Sequence, residues 1–147
     1  MAEQIKKRDE IDAQWKWNLT HIFPSDEAWE AAGAEVMKEV EALAARQGHV
    51  AEDPKGVIRA YFALAEKLDE IGGYAFLPQE TDNGDSVAQG IKSKAMGMLV
   101  KCQTLISFME PELLTLSEEE LIALQNAPDM AEYSEFVRGL IRNKPHT

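Results

Sequence analysis

A single cysteine, Cys102, excludes an intramolecular disulfide and fits a reducing compartment. Histidine is scarce as well, with only His21, His49 and His146. A zinc site of the His-Glu-x-x-His type needs two histidines four residues apart on one helical turn, with a glutamate between them to activate water. None of the three histidines is followed by glutamate, and none has a histidine four positions away. No zinc site is therefore encoded, and no catalytic, cofactor-binding or metal-ligating residue is assigned to this chain. A nucleophile elbow, a P-loop and a dinucleotide fingerprint are equally missing. Positive charge is in short supply. Lysine and arginine total 15 against 26 aspartate and glutamate, a formal net charge of -11. That balance repels a phosphate backbone, and the one basic cluster, Lys6-Lys7-Arg8, is followed at once by Asp9 and Glu10. Nucleic acid is not an expected partner. No apolar run approaches the roughly 20 residues that span a bilayer, and Met1 to Asp12 lacks the apolar stretch of a secretory leader. The expectation is a cytoplasmic protein that does not engage membranes.

What is present is helical periodicity, nearly throughout and without sustained strand-like alternation. The 45% apolar and 28% charged content is that of a globular protein, and a chain of this length typically buries about 70% of its unfolded surface. The expected fold class is all-α, a helical bundle built around a long antiparallel helical hairpin and preceded by an extended arm. Residues 1–24 form the arm and 25–147 a single helical domain. In the arm, Trp17, Leu19 and Phe23 are expected to pack onto the helices. Ser25 and Asp26 offer N-cap oxygens, and Glu27 suits the positive end of a helix dipole. That first helix is expected to reach about Gln47, where Gly48 supplies a left-handed stop, with Trp29, Ala32, Val36, Val40 and Leu43 inward.

Asp53-Pro54 is a start signal, since proline at the first helical position loses no hydrogen bond. The second helix presents Val57, Ile58, Tyr61, Ala65, Leu68, Ile71 and Ala75 on one side. Gly72-Gly73 inside it predicts a close helix crossing or a bend, because each glycine costs about 1 kcal/mol against alanine. The stretch from Thr81 to Ser86 is the clearest break. A third helix then buries Val87, Ile91, Ala95, Met98, Cys102, Leu105 and Met109, and Glu110-Pro111-Glu112 ends it. Ser117 and Glu120 fit a capping box ahead of a short helix with Leu121, Ile122 and Leu124. Pro128 and Asp129 open a last helix bearing Met130, Tyr133, Val137, Leu140 and Ile141, and Lys144-Pro145 closes it.

Several polar features invite a functional reading and have a simpler one. Cys102 on an apolar helix face reads as a small core hydrophobe. His21 reads as decoration of the arm. Asp82-Asn83-Gly84-Asp85 misses the calcium-loop pattern, with glycine where the second ligand belongs and no glutamate closing a twelve-residue loop. Glu118-Glu119-Glu120 is explained as charge at a helix start. Asn18-Leu19-Thr20 fits a glycosylation pattern, which carries no meaning without a secretion signal.

Four landmarks occur in order along the chain. They are Lys16-Trp17-Asn18-Leu19-Thr20-His21-Ile22-Phe23-Pro24-Ser25-Asp26-Glu27-Ala28-Trp29, then Tyr74-Ala75-Phe76-Leu77 leading to Glu80-Thr81-Asp82-Asn83. Ser107-Phe108-Met109-Glu110-Pro111-Glu112-Leu113-Leu114 and Arg142-Asn143-Lys144-Pro145-His146-Thr147 follow. Together they resemble the N-terminal helical region of oligoendopeptidase F family proteins, with mild departures at Gly72-Gly73 and Pro78. The resemblance implies a cytoplasmic zinc metalloendopeptidase acting on short peptides, whose His-Glu-x-x-His helix lies in a later domain. No matching position for its metal-binding or catalytic residues occurs before Thr147, so zinc is expected in that catalytic domain and not here. It further implies that this region forms a wall or lid of the substrate channel. The catalytic domain is then the principal expected partner, short peptides are met through the intact enzyme, and a homo-oligomer is a further expected assembly. Thr147 directly after Pro145-His146, where the family runs on, suggests a truncated piece. The alternative is a free-standing helical interaction module without enzymatic activity. A site assembled only across a homo-oligomer would need converging titratable groups, and the sequence nominates none.

Overall fold

The computed structural model describes residues 10–81 and 84–146, and among these no strand occurs. The fold is all-α, as the periodicity predicts. Helix α1 (Asp26–Ala44) starts at Ser25, whose extended backbone lets its Oγ accept the Ala28 N–H at 3.2 Å. Asp26 and Glu27 occupy the first turn, and the local backbone N–H together with Ser25 holds the Glu27 carboxyl below its usual range. Trp29, Gly33, Val36, Val40 and Leu43 are buried. Ala32 is only partly so, and Gly33 takes its place on the inward face. The helix ends three residues earlier than Gln47. Arg46 and Gln47 donate to Leu43 and Ala44, closing tighter turns, before Gly48 adopts a left-handed φ of 83°.

Helix α2 (Pro54–Thr81) begins where Asp53 Oδ1 accepts the Gly56 N–H at 2.9 Å, and Arg46 Nη1 reaches the other oxygen at 3.2 Å. It runs 28 residues, about 42 Å at the rise of an α-helix, straight through Pro78. The expected close crossing at Gly72-Gly73 is not what these glycines serve. A Cβ at Gly72 would lie 3.6 Å from the Phe76 ring and 3.9 Å from Leu99, ordinary contact distances, and one at Gly73 would meet nothing within 4 Å. Their missing side chains leave open space beside the helix. Leu64, outside the expected stripe, is buried with Val57, Ile58 and Ile71.

Helix α3 (Ser86–Ile106) is capped by Asp85, whose Oδ1 accepts the N–H groups of Val87 and Ala88 at 2.8 and 3.1 Å. Ala88, Ala95 and Cys102 recur every seven residues as its buried line. Val87 is 65% exposed, contrary to expectation, because one residue's 100° step from Ala88 turns it to solvent. Glu80–Lys92 pairing, Gly72 beside Leu99, and Tyr61 lining the same space as Ile106 show α2 and α3 running in opposite directions. Asp82 and Asn83 of the intervening segment lie outside the described residues.

α3 also stops sooner than expected. Ser107 donates to Thr104 at 3.4 Å and the chain restarts as α4 (Met109–Leu113). Glu110-Pro111-Glu112 therefore opens a helix instead of ending one. Pro111 falls in the first turn, where no N–H is needed, and Met109 is buried from α4. The capping box on α5 (Glu118–Asn126) is present in both directions. Ser117 Oγ accepts the Glu120 N–H at 3.2 Å, and Glu120 Oε2 accepts the Ser117 N–H at 2.7 Å. Leu121 and Leu124 face the core while Ile122 is 42% exposed. The last helix does not open at Pro128. Residues Pro128–Tyr133 form a 3-10 stretch, and α6 (Ser134–Asn143) follows, burying Val137 and Leu140.

α1, α2 and α3 each pack on the other two, and α5 packs on α6. Aromatic rings join the two groups: Tyr61 and Phe62 of α2 meet Phe136 of α6 at centroid distances of 6.2 and 5.3 Å. The arm differs from an extended segment. Short 3-10 turns form at Ala13–Trp15 and Leu19–His21. Leu19, Ile22 and Phe23 pack against the core, but Trp17 is 66% exposed.

Candidate functional site

Sulfur and imidazole chemistry is structurally committed. Cys102 is buried, with its Sγ 3.3 Å from Met37 Sδ, and burial pushes its thiol pKa up, away from the thiolate a nucleophile needs. His21 shares a 3.0 Å hydrogen bond with Asn18 inside the arm. The His49 ring sits 2.8 Å from Glu52, which raises its pKa by hydrogen bonding and charge. His146 ends the final 3-10 turn, far along the chain from both. Among the described residues, no three of His, Cys, Asp or Glu converge to hold a metal ion. The donor set does not fit zinc.

The remaining ionised and polar groups serve packing. The Tyr74 hydroxyl donates to Asp26 Oδ1 at 2.6 Å, and burial followed by this carboxylate pushes its pKa up to about 12. Trp29 stacks on Tyr74 at 6.2 Å, and its Nε1 donates to the Ile71 carbonyl at 3.0 Å. Glu112 accepts the Gly48 N–H with both oxygens, at 2.8 and 2.9 Å, tying α4 to the end of α1. Asp129 accepts from Lys55 and Arg59, each at 2.7 Å, and these bonds pull its pKa down to about 2. Lys144 donates to the carbonyls of Leu114 and Leu116 at 2.6 and 2.7 Å. Each of these pairs is separated by at least 28 positions in sequence, so no local motif announces it.

Open concavity, not reactive chemistry, is what the surface offers. A groove of about 430 Å³ lies between α2 and α3, lined by Leu68, Gly72, Phe76, Leu99 and Ile106, with Asp69 and Gln103 as polar lining. A second, of about 330 Å³, lies between α1 and α3 around Trp29, Gly33, Met37, Lys94 and Met98. Such surfaces can seat apolar side chains, and their charged lining is Asp69 in the first and Glu30 with Lys94 in the second, which pair with each other at 2.6 Å. No helix among the described residues is long and apolar enough to cross a membrane.

No protein-family model matches the sequence, and no solved structure matches it either. Curated sequences do. The chain is 29% identical, over 95% of its length, to the Group B oligopeptidase PepB of Streptococcus agalactiae, and covers 24% of that protein. It is 27% identical over 99% of its length to the oligopeptidase PepF of Bacillus subtilis, covering 22% of it. The chromosomal oligoendopeptidase F of Lactococcus lactis is 26% identical over 97% of the chain, which covers 25% of that protein. The chain thus spans about a quarter of the length of the curated relatives it matches. Along nearly its whole length, this all-helical chain is similar to oligopeptidases of the oligoendopeptidase F type, and it corresponds to one stretch of their sequence.

Proposed function

We propose that the chain is the N-terminal, non-catalytic helical region of an oligoendopeptidase F-like zinc metalloendopeptidase that hydrolyses short peptides in the cytoplasm. One observation carries this reading: the match extends over 95 to 99% of the chain but only 22 to 25% of each of three oligopeptidases. The groups that bind zinc and activate water then belong to the remainder of the enzyme. This region, an arm over residues 1–24 and a helical domain from 25 on, contributes a wall or lid of the substrate channel. Its packed apolar core and open grooves suit that role, since a channel wall needs shape and needs no reactive groups. The alternative, a free-standing helical interaction module, accounts for the fold equally well and leaves the extent of the match without a reason.

Exchange of the matched stretch tests the proposal. This chain, placed in Bacillus subtilis PepF instead of the stretch it matches, should yield a folded protein with chelator-sensitive hydrolysis of short peptides. The 147-residue chain alone should show none, even with zinc added. A folded but inactive chimera, or chelator-sensitive turnover by the pure isolated chain, would overturn it.

A further inference from the structure

The groove between α2 and α3 holds polar groups that the fold leaves unused. Leu99 lies 3.9 Å from where a Cβ at Gly72 would sit, and the two helices run in opposite directions. One turn further along, Gln103 therefore stands opposite Leu68 and Asp69. Asp69 and Gln103 both line the groove, and among the described residues neither has a hydrogen bond or ion pair within the chain. Elsewhere such groups are engaged. Glu30 and Lys94 of the α1–α3 groove hold each other, and Glu39 and Arg46, beside a hollow between α1 and α2, are held by Lys67 and Asp53. Lys67 thus reaches toward α1 and away from Glu66, Asp69 and Glu70, which leaves the α2 rim of the groove negative. No lysine or arginine lines the groove itself. Lys92, at its Phe76 end, lies 5.7 Å from that ring and is held by Glu80 at 3.0 Å. Ile106, the last residue of α3, adds the negative end of a helix dipole. From Tyr61 to Phe76 the groove follows α2 for about 22 Å, with Asp69 near the middle. An extended peptide of about six residues covers that length.

We propose that this groove receives an extended peptide in which an arginine lies between apolar residues, its guanidinium on Asp69 and its neighbours against Leu68, Leu99 and Phe76. Each part of the groove selects one part of that ligand. Asp69 has no ion pair to break, so a cation reaches it without displacing another. A planar guanidinium takes both carboxylate oxygens at once, which an ammonium cannot do. Gln103, across from Asp69, has an amide donor and an acceptor to offer a peptide backbone. A Cβ at Gly73 would meet nothing within 4 Å, so a main chain can approach α2 closely there. An acidic peptide is repelled by the same rim and by the formal net charge of -11. The choice of a peptide over another organic cation rests on the peptidase reading; the choice of charge and shape rests on the groove alone.

Nuclear magnetic resonance titration of the 147-residue chain with acetyl-Ala-Leu-Arg-Leu-Ala-amide tests it, alongside the same peptide with glutamine or glutamate in the arginine's place. The arginine peptide should shift backbone amides of residues 65–76 and 99–106 saturably. It should bind at least tenfold tighter than the glutamate peptide, and less tightly as salt is added. Asp69→Asn should erase the preference for arginine over glutamine without moving the melting temperature. Gly73→Leu, which fills open space in the groove, should weaken every peptide at least tenfold and leave the melting temperature equal or higher, because leucine favours the helix over glycine. Shifts confined to other surfaces, equal affinity for the arginine and glutamate peptides, or binding indifferent to both substitutions would overturn the proposal. Butylguanidinium binding as tightly as the peptide would overturn the choice of a peptide. Binding requires no catalysis, so its failure leaves the peptidase reading standing, and an inactive chimera does not bear on the binding.

Discussion

Trp29→Ala is the most informative single substitution, because Trp29 joins all three long helices. It is 4% exposed, donates to the Ile71 carbonyl of α2 at 3.0 Å, stacks on Tyr74 and lines the α1–α3 groove together with Met98 and Lys94 of α3. Burying a tryptophan removes roughly 150–250 Å² from water, which at about 25 cal/mol per Å² is about 4–6 kcal/mol, and alanine retains a minor share. Large-to-small changes of this kind cost about 3–5 kcal/mol. The neighbouring groove decides where in that range the value falls. The void would open toward Met37 and Met98, whose flexible thioether side chains can shift inward, so the expected cost is near the lower end, about 3 kcal/mol. For a domain of this size that corresponds to a melting-temperature loss of roughly 6–12 °C. Trp29→Phe keeps most of the packing and loses the indole N–H, so it should cost less than half as much. Urea titration followed by circular dichroism gives the free energies. Tryptophan emission gives an independent readout, because Trp15 and Trp17 are 75% and 66% exposed and only Trp29 should emit to the blue. A Trp29→Ala cost below about 1 kcal/mol, or blue-shifted emission persisting in that variant, would refute the packing argument.

The remaining predictions use the same structure. Tyr74 has a folded pKa raised to about 12 from an ordinary 10, so its contribution is complete below pH 10 and disappears as pH rises through 12. Ultraviolet phenolate titration should show a late step that Tyr74→Phe removes; a titration curve whose late limb is unchanged in that variant would contradict it. Asp129 is the opposite case, lowered to about 2 from 3.8, so its contribution is present above 3.8 and lost as pH falls toward 2. Asp129→Asn should flatten that acid limb of the urea midpoint; an unchanged slope would mean that Lys55 and Arg59 do not hold it in solution. Ser117→Ala removes the α5 cap and should cost about 1 kcal/mol, measured by urea unfolding, with a neutral result disproving the capping box's contribution. Cys102 should resist a thiol reagent until the chain unfolds, and fast labelling of the native protein would show that its packing against Met37 opens readily.

Most helix starts were legible because they are made by neighbours in sequence. Ser25, Asp53, Asp85 and Ser117 each satisfy backbone N–H groups within three residues of themselves. Helix ends and breaks were harder. Gln47, Pro111 and Pro128 obey local rules that permit more than one outcome, and the pull of buried Leu43, Met109 and Met130 decided among them. Gly72-Gly73 misled for a related reason: glycine reports what a position permits, and here it leaves a groove open instead of admitting a close neighbour. The grooves were legible only in part. Periodicity identifies what a helix can bury, but Val87 reads as a core residue until the neighbouring helices are placed, and it stands 65% exposed.

By itself, the sequence determined that the chain is all-helical, acidic, without a metal-binding motif, and similar in four ordered landmarks to one enzyme family. Those properties depend on residue type and short spacing, which need no knowledge of distant contacts. Tertiary structure alone decided which apolar residues face solvent. It also joined Tyr74 to Asp26, Glu112 to Gly48 and Asp129 to Lys55. Partners far apart along the chain meet only once the helices have packed, and no local pattern encodes where that packing leaves a face uncovered.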